Sequence, residues 1–315
     1  MLNSIQIENF RLFEKLNIEG LKRINLIAGM NNSGKTALLE ALRIWAADGD
    51  NTVINAIQFH RGDFVASWQE SFYSLFYLED LSQSIKINDL TIAAQSDNRA
   101  RVEKIIASCE TRGKQFAHEF NANVSKDFPK DGCVFVPFLS QSFQFEELWK
   151  NIALTDDYDN ILDVLSQADP RIKGVDIRHD GIKVRLTGQR KPASIGRLGD
   201  GILQTLKIAI GLVSAKDKKS HLLLIDEIES GLHHSVQLLV WEKVFHYAAE
   251  WDVQVFATTH SQDAVRTFAE VAGRPENEGQ GCYFRLERDE NEQVKAVVYD
   301  LQQLKTSIEY DLETR

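Results

Sequence analysis

Eight residues, Gly29-Met30-Asn31-Asn32-Ser33-Gly34-Lys35-Thr36, fit the spacing G-x-x-x-x-G-K-[ST] and directly follow the apolar run 24–28. In that setting the glycines let backbone N–H groups converge on phosphate oxygens. Lys35 supplies a point charge for the β- and γ-phosphates, and the Thr36 hydroxyl is placed to ligate Mg²⁺. The helix expected from Thr36 to about residue 46 turns its positive N-terminal end toward the same anion. The pattern predicts that the chain binds a nucleoside triphosphate.

A second acidic half is expected nearly two hundred positions later. Leu222-Leu223-Leu224-Ile225 runs straight into Asp226-Glu227, as a buried parallel strand does when it ends at an active-site edge. Asp226 would bind Mg²⁺, directly or through a water, and Glu227 would polarise the attacking water. The next apolar run, 253–258, ends in Thr259-His260-Ser261. An imidazole at His260 could sense the γ-phosphate and position water. Between the two halves, Leu198-Gly199-Asp200-Gly201 is a glycine turn opening a helix, whose end could also bind an anion.

The elements that must carry these residues read as an α/β alternation. Two short strands, 4–13 and 15–21, precede the strand into the phosphate loop. An aromatic-rich stretch, 54–78, leads to a hairpin, 84–87 with 90–94. Residues 95–132 are polar and weakly periodic, and they predict a helical or partly mobile insertion. A strand at 133–137 and helices at 146–152 and 156–168 follow, then a hairpin, 175–177 with 182–186, around the turn formers Asp180-Gly181. Helix 202–213, strand 221–225, helix 235–249 and strand 253–258 make a βαβ series. A hairpin, 282–286 with 294–298, and a short helix close the chain.

Composition sets the outer bounds. The 315 residues are 43% hydrophobic, enough for a substantial core. No apolar run is long enough to cross a membrane and no leader pattern opens the chain, so a cytoplasmic protein is expected. Cys109, Cys133 and Cys282 are scattered and odd in number, which fits a reducing compartment and argues against disulfides and zinc. The net charge of −10 gives no basic face for nucleic acid, and the densest basic run, 216–219, suits a solvated turn. Composition therefore supports no direct hold on DNA, leaving any such contact to an oligomer.

Taken in order, IQIENFRLF, INLIAGMNNSGKTALLEAL, LGDGILQTL, LLLIDEIESGLH and VFATTHS resemble the ABC-type ATPases related to RecF, SMC and, most closely, the OLD (overcoming lysogenisation defect) proteins. The resemblance runs from end to end apart from about 54–132. It implies a single ABC-type head: a mixed, mainly parallel core sheet bearing the phosphate loop, an N-terminal antiparallel β subdomain, and a helical signature-bearing lobe. The approximate lobes are 1–95, 96–215 and 216–315. It implies ATP with Mg²⁺, gripped by Gly29, Asn31, Asn32, Ser33, Gly34, Lys35, Thr36 and Ala37. Phe10 and Arg11 match a pair whose arginine lies near the base. Gly199, Asp200 and Gly201 would be the signature, contacting ATP held by a second protomer, although the form departs from LSGGQ. Residues 229–233 match the D-loop, and either Gln58 or Gln69 would be the Q-loop glutamine.

Two absences narrow the expected function. About 160 residues separate Thr36 from Gly196 without sustained heptads, so no long coiled-coil arm is expected. Only 55 residues follow His260, too few for the Toprim nuclease domain of full OLD proteins. The acidic groups Asp48-Gly49-Asp50 and 156–159 suit helix ends instead. The resemblance thus implies a head-to-tail ATPase dimer that regulates a separately encoded effector, a Toprim-type nuclease, in defence against phage. A stand-alone RecF-like repair clamp and a non-hydrolysing scaffold are the alternatives.

Overall fold

Residues 1–61, 72–96, 102–109, 114–119, 132–138 and 143–309 are described by a computed structural model. Three sheets organise them. The N-terminal sheet is antiparallel, in the order β2-β1-β4-β5-β6-β7, from β1 (Ser4–Phe10), β2 (Phe13–Glu19), β4 (Ile85–Ile87), β5 (Leu90–Ser96), β6 (Val102–Cys109) and β7 (Lys114–Glu119). The central sheet has the order β15-β14-β3-β13-β12-β8, from β3 (Ile24–Ala28), β8 (Val134–Val136), β12 (Leu222–Ile225), β13 (Gln254–Thr258), β14 (Gly281–Arg288) and β15 (Val294–Tyr299). A small sheet joins β9 (Ile172–Arg178), β10 (Gly181–Leu186) and β11 (Ala193–Ser194).

Burial follows from strand type. In β1 and β2 inward and outward residues largely alternate, as in a sheet with one covered face. Strands β3, β12 and β13 are buried at every position, as parallel strands covered on both sides must be. Leu222, Leu224 and Phe256 point into one core, shared with the N-terminal sheet and α1 (Lys35–Ala46). Leu223, Ile225, Val255 and Ala257 point into the other. That second core is covered by α4 (Asp157–Ala168), α5 (Asp200–Ala215), α6 (His234–Glu250) and α7 (Gln262–Ala272). The remaining helices are α2 (Asn51–Arg61), α3 (Phe145–Trp149) and α8 (Leu301–Glu309).

Parallel register brings the strand ends level. Ile27 of β3 pairs with Thr258, Ile225 with Ala257, and Ile225 with Val136. The loops that follow β3, β12, β13 and β8 therefore leave the sheet along one edge, where ligands of such sheets bind.

One expectation needs correction, and one helix is added to those expected. The stretch 95–132 is no helical insertion where it is described: β6 and β7 extend the N-terminal sheet by antiparallel pairing with β5 and with each other. The reason lies in Ile105, Ala107 and Cys109, which are buried while Ile106 and Ser108 between them are half-buried, a period of two hidden in a polar segment. Helix α7 was not foreseen, although its signals are ordinary. Ser261 caps it by accepting from the Ala264 amide, and Val265, Phe268, Ala269 and Ala272 form its buried face. Phe268 packs edge-on against Trp241 of α6 at 5.1 Å between centroids.

Lys207 of α5 is fully buried, and its ammonium donates to the carbonyls of Pro137 (2.9 Å) and Phe138 (3.4 Å) just beyond β8. Burial pushes its pKa down to about 8. The folded chain therefore sheds this proton before the unfolded chain does, so stability gains as pH rises above that value. Thermal melts should show the unsubstituted protein gaining several degrees over Lys207→Met between about pH 7 and about pH 9.5. Melting temperatures that run parallel for the two proteins would refute this.

Candidate functional site

The phosphate loop closes through two glycines. Gly29 has φ +150°, and a Cβ there would lie 2.4 Å from Ser33 Oγ and 2.7 Å from the Leu286 carbonyl. Gly34, at φ +103°, would drive a Cβ to 2.9 Å from the Phe13 ring. Lys35 Nζ donates to the Gly29 carbonyl at 2.6 Å and the Met30 carbonyl at 2.9 Å, so the loop arches over its own lysine. Ser33 Oγ is buried without a hydrogen-bond partner, as a hydroxyl waiting for a ligand oxygen would be. Asn31 and Asn32 are exposed on the loop, and Ala37 is buried in the first turn of α1.

Thr36 and Asp226 meet at the sheet edge. The Thr36 hydroxyl lies 3.4 Å from both carboxylate oxygens of Asp226, too far for a good hydroxyl hydrogen bond. Two hard oxygen donors facing one another in this way fit Mg²⁺, which takes few protein ligands and keeps phosphate oxygens and waters. Asp226 is held by the Thr258 hydroxyl, which donates to Oδ1 at 2.7 Å, and by its own amide, which donates to the Val136 carbonyl at 2.9 Å.

Glu227 adopts φ +51°, a left-handed conformation that a non-glycine residue takes only where its surroundings enforce it. Its amide donates to Thr258 Oγ1 at 2.8 Å, and its carbonyl accepts from Gln204 Nε2 of α5 at 3.4 Å. His260 Nδ1 stands 3.6 Å from Glu227 Oε1 and 3.3 Å from Glu229 Oε1, with its ring half-exposed. The His260 amide donates to the same Glu229 oxygen at 3.0 Å. Sequence reasoning gave no such role to Glu229, Thr258 or Gln204. Glu229 was placed only in a loop motif, and a threonine at the inner end of a buried strand gives no signal by itself.

Electrostatics follow from burial. Burial lowers the Lys35 pKa, opposed by the charges of Glu227, Asp226 and Glu229. Burial raises the Asp226 pKa, opposed by the hydrogen bond from Thr258, by the facing Thr36 hydroxyl and by the charges of Lys35 and Arg61. Burial likewise raises Glu227; Asp226 and Glu229 add to the effect, while His260 and Lys35 oppose it.

Arg11, expected near the base, lies against α1. Its side chain is 7% exposed and pairs with Glu40 of α1 at 2.7 Å, while Arg61 of α2 holds the other Glu40 oxygen at 2.6 Å. A guanidinium paired with a buried carboxylate ties the N-terminal sheet to α1. Gln58 is fully buried on α2, and Gln69 lies outside the described residues. Gly199 (φ +90°) and Asp200 are exposed at the start of α5, and Gly201 lies against the Gly231 carbonyl, where a Cβ would approach to 2.7 Å.

A family model described as "AAA domain, putative AbiEii toxin, Type IV TA system" matches residues 97–266, and one described as "AAA ATPase domain" matches residues 1–130. A Helicobacter pylori protein named "ATP/GTP phosphatase" is 22% identical over 95% of this chain and 96% of its own. Among solved structures, the SmcHead bound to the C-winged helix domain of ScpA superposes with a TM-score of 0.56 at 13% identity, over 96% of this chain and 99% of that one. The Smc head with an extended coiled coil, bound to the C-terminal domain of ScpA derived from Pyrococcus furiosus, gives 0.54 at 11%, over 98% of each chain. These likenesses show the SMC-head, ABC-type α/β fold.

Replacing Asp226 with Asn removes a buried charge and keeps an acceptor for Thr258. The melting temperature of the nucleotide-free protein should rise by roughly 2–4 °C, the usual trade of stability against function. A lower melting temperature in calorimetry would show that the carboxylate is not under the strain its raised pKa implies.

Proposed function

The chain belongs to the AAA-domain family whose model spans residues 97–266, within the AAA/ABC class of SMC-like ATPases, and from that premise we propose that it hydrolyses ATP with Mg²⁺. One observation carries the reading: Thr36 Oγ1 and both Asp226 oxygens stand 3.4 Å apart at the edge where β3 and β12 end. Ser33 and Lys35 would hold the β- and γ-phosphates, with the N-terminal end of α1 behind them. Thr36 and Asp226 would hold Mg²⁺, whose chemistry is to neutralise phosphate charge.

Glu227 is placed to take the proton of a water whose oxygen attacks the γ-phosphorus. As that bond forms, the bond to the β–γ bridging oxygen breaks, and ADP leaves with its electron pair. The raised pKa of Glu227 makes it a better base near neutral pH. His260, steadied by Glu229 through both ring and backbone, is placed to orient the water or the γ-phosphate.

The finer reading is a head-to-tail dimer closing ATP between phosphate loop and signature, which gates a separately encoded effector. Exposed Gly199 and Asp200 at a helix N-terminus support the dimer, since they are free to meet another protomer's nucleotide. The motif order resembling OLD proteins supports a Toprim-type effector and an anti-phage role, and the family's description, which names a toxin and a TA system, fits a chain that works with a partner. The net charge of −10 favours this over a clamp that grips DNA directly. No helix among the described residues is long and apolar enough to cross a membrane.

Glu227→Gln should keep ATP binding while cutting turnover by about 100-fold or more, and Lys35→Ala should lose binding. Turnover by Glu227→Gln equal to the parent, in a phosphate-release assay, would remove the glutamate from the mechanism. Activity of the parent should fall on acidification at a pH above the ordinary glutamate value of 4.5, because the base form is lost as pH drops through a raised pKa. A rate flat down to that value would contradict the assignment.

A further inference from the structure

We infer that one face of α5 aims both acids of the site. Lys207 acts on Asp226 through the end of β8, and Gln204 acts on Glu227 directly, which makes both of them positioning residues for the proposed hydrolysis. The inference rests on the ATPase reading above and gives the helix a part in it. Positions 201, 204, 207 and 211 fall on one face of α5. Other buried positions of the same helix are aliphatic, among them Leu206, Ile210 and Val213. A lysine and a glutamine buried beside them cost free energy to desolvate, which a methionine of similar size would not. What they add is hydrogen-bond donors.

Each donor meets backbone oxygens at the sheet edge. Lys207 Nζ holds the carbonyls of Pro137 and Phe138, the two residues that follow Val136. The Val136 carbonyl in turn accepts from the Asp226 amide at 2.9 Å. Three successive carbonyls thus lead from the ammonium to the acid, and Pro137 and Phe138 line a cavity of about 180 Å³ together with Thr36 and Asp226. Gln204, 2% exposed, brings Nε2 to 3.4 Å from the Glu227 carbonyl. That length suits a contact that tightens once substrate is in place. It falls on the residue whose φ of +51° needs support from its surroundings. Two glycines set the spacing. A Cβ on Gly201 would stand 2.7 Å from the Gly231 carbonyl, and one on Gly211 would stand 2.8 Å from the Leu223 side chain and 3.0 Å from that of Val136. Either methyl group would lift α5 off the edge and draw the donors away from their oxygens.

Gln204→Met and Lys207→Met should each bind ATP as the parent does and turn it over about tenfold more slowly in a phosphate-release assay. In a Glu227→Gln background, Gln204→Met should slow the residual turnover no further, because the group it aims is already gone. An equal loss of rate in both backgrounds, or a parallel loss of ATP binding, would mean that the helix only supports the fold. Parental turnover by both variants would mean that it aims nothing; each of these results overturns the inference. Hydrogen exchange gives a readout apart from turnover. Without nucleotide, the amides of Asp226 and Glu227 should exchange about tenfold faster in both variants, and parental exchange would refute the positioning. If the parent hydrolysed no ATP, the reading above would fall, while the exchange rates would still decide whether α5 holds the acids.

Discussion

The hydroxyl of Thr258 accepts a hydrogen bond from the Glu227 amide and gives one to the Asp226 carboxylate, so one buried side chain aims two acids with different tasks. It can do so because β12 and β13 are parallel and in register, with Ile225 level with Ala257. A shift of one residue would turn Thr258 to the other face of the sheet and leave both acids without their guide. The positive φ of Glu227 belongs to the same constraint. The chain leaves β12 in a tight turn, its amide reaching Thr258 while the Ile228 amide donates to the Thr258 carbonyl. Backbone strain at an acid is sustained here by the two strands that surround it.

Charge is balanced just as locally. Asp226, Glu227 and Glu229 lie close enough to one another and to Lys35 to figure in its titration, and Lys35 spends its protons on the carbonyls of its own loop. A cluster with three acids and one lysine leaves the nucleotide-free protein locally short of positive charge. Glu40 shows the contrast. It is more deeply buried than Asp226 or Glu227, but two arginines pair with it, and its work is to fasten elements together.

Much of the fold could be read from the sequence. Strands β3, β12 and β13 announce themselves as short, largely apolar runs, and the glycine pattern at 29–36 and the acids at 226–227 stand at the ends of two of them. What escaped reading was set by tertiary context. Residues 105–109 are a short, largely apolar run, and the polar residues on either side of it in the sequence hide the alternation that β6 uses. Helix α7 was overshadowed by the chemistry of the residues before it. Arg11 could be matched to a motif but not oriented, because its partner Glu40 comes 29 positions later on another element. Glu229 and Thr258 join the site through a parallel pairing that no local pattern encodes.

Gly201 and Gly231 meet backbone to backbone, with no room for even a methyl group between them, and Asp200 crowds Gly231 from the same direction. Helix α5 and the loop that follows Asp226 and Glu227 are therefore meshed like gear teeth. Neither can slide or tilt far without carrying the other, so the loop after β12 and the amino end of a sixteen-residue rod are coupled as one mechanical piece.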